Sequence, residues 1–304
     1  MNTLIILSGP TGVGKTALSL RLAAHFQTPV ISADSRQFYR GLEIGTAAPT
    51  AEEQAQATHY FVGNLNITDY YNASQYENDV LHLLDNDIFK RNTVALLVGG
   101  SMMYIDAVCR GIDDIPNADG EIRQSLWKVF EHEGIDTLRA QLRMLDPAHY
   151  REIDLKNHKR IIHALEICLT AGKPYSSFRT KTARQRPFRI LKIGLDRPRE
   201  ELYDRINRRV DEMIAGGLEA EARRMYPHKA LNALNTVGYK ELFKYFDGEW
   251  TYDYAVAMIK QDSRRYARKQ LSWFRRDKDI HWFHPDDEDE IVRFVEASAS
   301  LGCL

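Results

Sequence analysis

Residues 9–16 read GPTGVGKT, a Gly-x-x-x-x-Gly-Lys-Ser/Thr pattern. The glycines of such a loop let successive backbone N–H groups turn inward around an anion, and the start of the following helix adds its partial positive charge. Gly9, Pro10, Thr11, Gly12, Val13, Gly14, Lys15 and Thr16 are therefore the candidate cradle for a diphosphate or polyphosphate. Lys15 supplies a point charge, and the Thr16 hydroxyl is a candidate ligand for Mg²⁺. Loops of this kind usually bind ATP or GTP, but the pattern specifies the anion and not the reaction. A nucleotide hydrolase usually adds an apolar strand that ends in Asp and holds the metal. The best strand for that role, ALLVGGS at 95–101, ends in Gly-Gly-Ser. A carboxylate stands instead at the end of another apolar run, PVISAD at 29–34. Asp34 is thus the candidate metal-linked carboxylate or general base, with a turn-forming or helix-capping Asp as the plain alternative.

These residues need a scaffold, and the apolar pattern supplies one. Short apolar runs at 3–8, 29–34, 93–100 and 189–196 read as strands. The first leads through the glycine loop into KTALSLRLAAHF, whose Leu18, Leu22 and Phe26 share one helical face. Strands separated by helical stretches imply parallel βαβ units, hence an α/β sheet with helices on both faces. From about 115 to 185 the texture is helical, with GEIRQSLWKVFEHEG and NHKRIIHALEICLTAG as the clearest segments. PREELYDRINRRVDEMIAGG is a charged amphipathic helix after the fourth strand. More helices follow to about 278, and the acidic HPDDEDE at 284–290 reads as a solvated connection before a last helix.

The chain has 304 residues, 44% hydrophobic and 27% charged, with a net charge of −1, as expected of a soluble globular protein. No apolar run approaches the roughly 18 residues of a membrane span. The N-terminal MNTLIILSGP has no basic start and reads as a strand, not a secretion signal. Cys109, Cys168 and Cys303 are far apart and form no CxxC pair, which argues against zinc and for a reducing cytoplasm. The neutral average hides two basic segments. Residues 179–192 hold six Lys/Arg and no acid, and residues 260–278 hold eight Lys/Arg with Tyr266, Trp273 and Phe274 among them. Basic groups interleaved with aromatics suit a nucleic acid. A solvated helix face with Tyr266 and Trp273 in the core is the alternative, and Arg264 and Arg268 are also spaced to reach a pyrophosphate in the loop.

Taken together, these motifs resemble one family, the tRNA dimethylallyltransferases (tRNA isopentenyltransferases) of bacterial type. The resemblance runs from residue 5 to about 278 through GPTGVGKT, SADSRQFYRGLEIGTAAP (32–49), LLVGGSMMYIDAV (96–108), NHKRIIHALEI (157–167), NTVGYKEL (235–242) and SRRYARKQLSWFRRD (263–277). It implies a P-loop NTPase-like core over 1–114 and 186–304, with a helical C-terminal part. An all-helical insertion over 115–185 would grip the tRNA anticodon stem-loop. It implies transfer of a dimethylallyl group from dimethylallyl diphosphate to N6 of adenosine 37, with Mg²⁺, by a cytoplasmic monomer that needs no membrane and no obligate protein partner. Lys15, Thr16, Asp34 and Ser101 would carry the chemistry. Asp34, Ser35, Arg36, Gln37, Ser101, Arg123, Lys159, Arg160, Ile161, Ile162 and His163 would contact tRNA. Arg36 replaces the usual Met, Ser101 the usual Thr and His163 the usual Arg. Prenyl transfer to a free adenine mononucleotide and phosphoryl transfer by a kinase are the rival enzymatic readings.

Overall fold

A computed structural model describes residues 1–113, 115–116, 119–179 and 184–300, with side chains to residue 298. The chain divides into two compact units, one formed by Met1–Arg110 with Gln185–Leu304 and the other by Gly111–Arg184.

The first unit is built on a six-stranded sheet. Its strands are β1 (Thr3–Ser8), β2 (Val30–Ala33), β3 (His59–Tyr60), β4 (Val94–Gly99), β5 (Arg189–Leu195) and β6 (Ile280–Phe283), in the spatial order β3-β2-β4-β1-β5-β6. Every pair is parallel. This is the α/β class that the sequence implies. β3 and β6 are additions to the four strands read from sequence. All six residues of β1 are buried, because side chains alternate between two covered faces. Leu4 and Ile6 pack with Tyr76, Val80 and Ile105 on one face. Ile5 and Leu7 pack with Leu18, Leu22, Leu202 and Ile291 on the other. Helices Arg199–Ala215, Leu218–Met225, Tyr239–Phe246, Tyr252–Phe274 and Glu288–Ser300 make the C-terminal part.

Among its described residues the second unit is helical, with Gly120–Glu133, Ile135–Leu145, Pro147–Glu152 and His158–Ala171 as its α-helices. Its core is formed by Leu126, Leu138, Leu142, Ile161, Ile162 and Leu165. No helix among the described residues is long and apolar enough to cross a membrane.

Candidate active site

Three strands end level at the carboxyl edge of the sheet, where open α/β sheets bind ligands. Ser8 of β1 pairs with Gly99 of β4, and Gly99 pairs with Ala33 of β2. The glycine loop, Asp34 and Gly100-Ser101 therefore leave the sheet side by side, although they are far apart in sequence. Gly14 stands at the start of helix Lys15–Phe26 with φ +114°, a conformation that a β-carbon would strain.

The loop is held by its own lysine and by arginines from another element. Lys15 Nζ donates to the carbonyls of Gly9 and Pro10, both at 2.9 Å. Burial lowers the Lys15 pKa to about 7, helped by Arg209 and opposed by Asp34. Val13 is fully buried, so its side chain is withdrawn from the loop surface. Arg197 Nε donates to Val13 O and Arg205 Nε to Gly12 O, both at 2.9 Å, and Arg209 Nη1 donates to Thr11 Oγ1 at 3.2 Å. Burial also pushes the Arg209 pKa down, against the pull of Asp34. None of these three arginines stands out in the sequence beyond the one-turn spacing of Arg205 and Arg209. The pair Arg264 and Arg268 does not take that place. Arg264 donates to Asn207 Oδ1 at 2.5 Å, and neither residue lines a cavity at the loop. The acidic tract is likewise more than a solvated connection, because Asp286 pairs with Arg197 at 2.8 Å.

Two cavities open beside the loop, of about 330 Å³ and about 1180 Å³, and Thr11, Asp34, Arg209 and Tyr266 line both. Asp34 Oδ1 accepts the N–H of Arg36 at 3.0 Å, so the residue does form a turn. Among the described residues no donor meets its second oxygen. Ser101 lines neither cavity. Its Oγ accepts the N–H of Ser35 at 2.8 Å and donates to Ser35 Oγ at 3.2 Å, and its own N–H reaches Ala33 O at 3.1 Å. Ser101 thus holds the Asp34 turn. Arg36 Nη1 donates to Asn232 O at 2.7 Å. The Gln37 amide accepts from Ser32 at 3.1 Å and donates to Thr46 O at 3.3 Å and Ala47 O at 3.0 Å, so its nitrogen is engaged by the protein and donation to a base edge competes with these carbonyls. The segment that receives it is pinned by the buried Glu221, whose carboxylate accepts the N–H groups of Ile44 and Gly45 and the Tyr239 hydroxyl.

Thr16 and Asp34 bring a hydroxyl and a carboxylate to the larger cavity. Hard oxygen donors of this kind suit Mg²⁺, which also takes oxygens from phosphate and water. No group of three His, Cys, Asp or Glu converges among the described residues.

The sequence model of the IPP transferase family matches residues 37–277. The chain belongs to the IPP transferase family. It is 62% identical over 296 residues to tRNA dimethylallyltransferase 1 of Phocaeicola vulgatus, covering 97% of this chain and 98% of that one. It is 60% identical to tRNA dimethylallyltransferase 1 of Bacteroides fragilis, again over 97% and 98% of the two chains. The crystal structure of a full-length tRNA isopentenylpyrophosphate transferase from Bacillus halodurans superimposes with a TM-score of 0.71 at 34% identity, over 98% of this chain and 96% of that chain. A eukaryotic dimethylallyltransferase acting on tRNA shares the fold at a TM-score of 0.78 and 22% identity, over 94% of this chain and 75% of that chain. The core of this IPP transferase is accordingly P-loop NTPase-like.

In the helical unit of this IPP transferase, the candidate RNA-contacting residues separate by burial. Lys159 and Arg160 are exposed. Arg123 and His163 meet at the buried Glu166, with Arg123 Nε 3.5 Å from Oε2 and His163 Nδ1 2.7 Å from Oε1. Ile161 and Ile162 depart from the expected RNA contact. They are 0% and 1% exposed and belong to the core, so their side chains are out of reach of RNA. The basic segment 179–192 is not a uniform free surface either. Residues 180–183 lie outside the described residues, as does Cys303. Arg186 is buried against Glu77 at 2.7 Å, and Lys192 pairs with Asp277 at 2.7 Å. In helix Tyr252–Phe274 Trp273 donates to Asp106 at 2.9 Å, whereas Tyr266 stays 37% exposed and lines both cavities.

Proposed function

We propose that this protein transfers a dimethylallyl group from dimethylallyl diphosphate to N6 of adenosine 37, next to the anticodon of tRNA, and releases diphosphate. The observation that carries the reading is the position of Asp34. It lines both cavities together with Thr11 of the glycine loop, so a carboxylate and an anion cradle face the same space. The smaller cavity has an apolar wall that includes Ile206, Val210, Met213 and Ile259, which suits a five-carbon allyl group. Family membership and the names of relatives about 60% identical support the same reaction.

The chemistry follows from the nucleophile. The exocyclic amine of adenine is weak because its lone pair is delocalised into the ring, so the leaving group must drive the step. The C1–O bond to diphosphate breaks with its electron pair going to the diphosphate, and a bond forms between C1 and N6. The loop N–H groups and Lys15 neutralise the charge that builds on the leaving oxygens. Thr16 would hold Mg²⁺, which would supply further charge neutralisation. Asp34 accepts the proton that N6 loses. The base must leave its stack to reach the cavity. Arg123, Lys159, Arg160 and His163 in the helical unit, and the Asp34–Gln37 turn, hold the RNA meanwhile. The protein acts as a cytoplasmic monomer without an obligate protein partner.

The reading is tested by diphosphate release. Diphosphate is expected only when tRNA and the prenyl donor are both present. Formation of ADP from ATP, with no release from the prenyl donor, would replace this reading with that of a kinase.

A further inference from the structure

Gln270 lies on helix Tyr252–Phe274 and is 2% exposed, and both ends of its amide are engaged. Its Oε1 accepts the N–H of Thr11 at 2.9 Å, and its Nε2 donates to Gly100 O at 2.9 Å. Thr11 belongs to the glycine loop. Gly100 precedes Ser101, which binds the N–H of Ser35 beside Asp34. A single side chain therefore ties the cradle to the segment that holds the Asp34 turn. The fit is close, since a β-carbon at Gly100 would stand 2.2 Å from Gln270 Nε2. The two partners demand an acceptor and a donor on one group. A carboxylate at 270 would set lone pairs against Gly100 O, and a hydrocarbon would leave a buried N–H and a buried C=O without partners. Thr11 N–H is also committed to the protein, which leaves the anion to the N–H groups further along the loop.

We infer that Gln270 is a positioning residue for the transfer, one that fixes the separation between the diphosphate cradle and Asp34. The inference rests on the prenyl-transfer reading. Positioning matters because diphosphate leaves C1 while the proton leaves N6, at opposite ends of the forming C–N bond, and small misplacements of reacting groups are costly. Tyr266, one turn earlier on the same helix, lines both cavities, so the helix that carries Gln270 is itself part of the site wall.

Two variants of the full chain test this from opposite sides. Gln270→Met keeps the length and removes both hydrogen bonds, and Gly100→Ala pushes on the same amide. Each is expected to lower kcat by about 10- to 100-fold, with the affinity for an anticodon stem-loop unchanged. Amide hydrogen exchange should speed up at Thr11 and in the 34–35 turn, and stay slow in β1 and β4. Unchanged kcat and unchanged exchange would overturn the inference. So would a loss of activity accompanied by faster exchange throughout the unit, which is what simple destabilisation produces. If the unaltered protein transfers no prenyl group, the functional reading fails by itself. The exchange measurement then still decides the tie: a local rise supports it, and no local change overturns it.

Discussion

Arg209 places a guanidinium nitrogen 3.2 Å from the Thr11 hydroxyl, which brings a half-buried cation to the glycine loop. Burial and, after it, the Arg209 charge depress the Lys15 pKa, so two cations share one small volume that favours a highly charged anion. Arg209→Ala should weaken binding of the prenyl donor by roughly 10- to 100-fold, the scale of one lost charge-assisted hydrogen bond. Arg268→Ala should leave it unchanged. Titration of both variants with dimethylallyl diphosphate and Mg²⁺ checks this, and equal effects would remove Arg209 from the cradle.

The contrast between these two arginines shows what was legible in the sequence. The glycine loop is a local motif, with each functional group within eight residues of the others, so it could be read directly. Asp34 could be read from the strand that precedes it. Arg197, Arg205 and Arg209 could not, because they reach the loop only when β5 pairs with β1, a contact between residues almost two hundred positions apart. β3 has only two residues, and His281 interrupts the apolar run of β6, so neither registers as a continuous apolar strand. Ile161 and Ile162 were assigned with their neighbours as a run, although helical periodicity places them with Leu165 on the buried face. The resemblance places Ser101 among the substrate-facing groups, and its hydroxyl bonds to Ser35, a partner that the sequence does not show.

Asp34 presents one oxygen to its own turn and lines both cavities. Asp34→Ala should cut turnover by about 100-fold or more, the usual scale for a general base, while RNA binding stays nearly intact. Single-turnover rates beside stem-loop affinity make the test. Turnover close to that of the unaltered protein would take Asp34 out of the mechanism.

Lys15 makes donor binding sensitive to pH. Its pKa of about 7 in the folded chain lies below the ordinary 10.5, so between those values the folded protein holds fewer protons than the unfolded one. Stability from this group therefore rises with pH across that window. Diphosphate favours the charged amine, so binding should take up close to one proton per site at pH 8, and affinity should fall as pH rises above 7. Calorimetry in two buffers of different ionisation enthalpy measures the uptake. Zero uptake, or uptake that survives Lys15→Ala, would contradict the assignment.

The helical unit separates stability from RNA contact. Ile161→Ala should cost about 2 to 5 kcal/mol of folding stability through the cavity it leaves. Lys159→Ala and Arg160→Ala should leave stability alone and each lower the salt slope of stem-loop binding by about 1. Thermal melts and binding at several salt concentrations check both halves. A slope indifferent to both substitutions would mean that RNA lies elsewhere.

The most direct test is the identity of the product. Unmodified tRNA is incubated with the protein, Mg²⁺ and dimethylallyl diphosphate, in parallel with a reaction that contains ATP in place of the prenyl donor. The digested nucleosides are then analysed by mass spectrometry. N6-dimethylallyladenosine that appears only with the prenyl donor, and maps to position 37, is the predicted result. Unmodified adenosine in both reactions, with ADP formed from ATP, would contradict it.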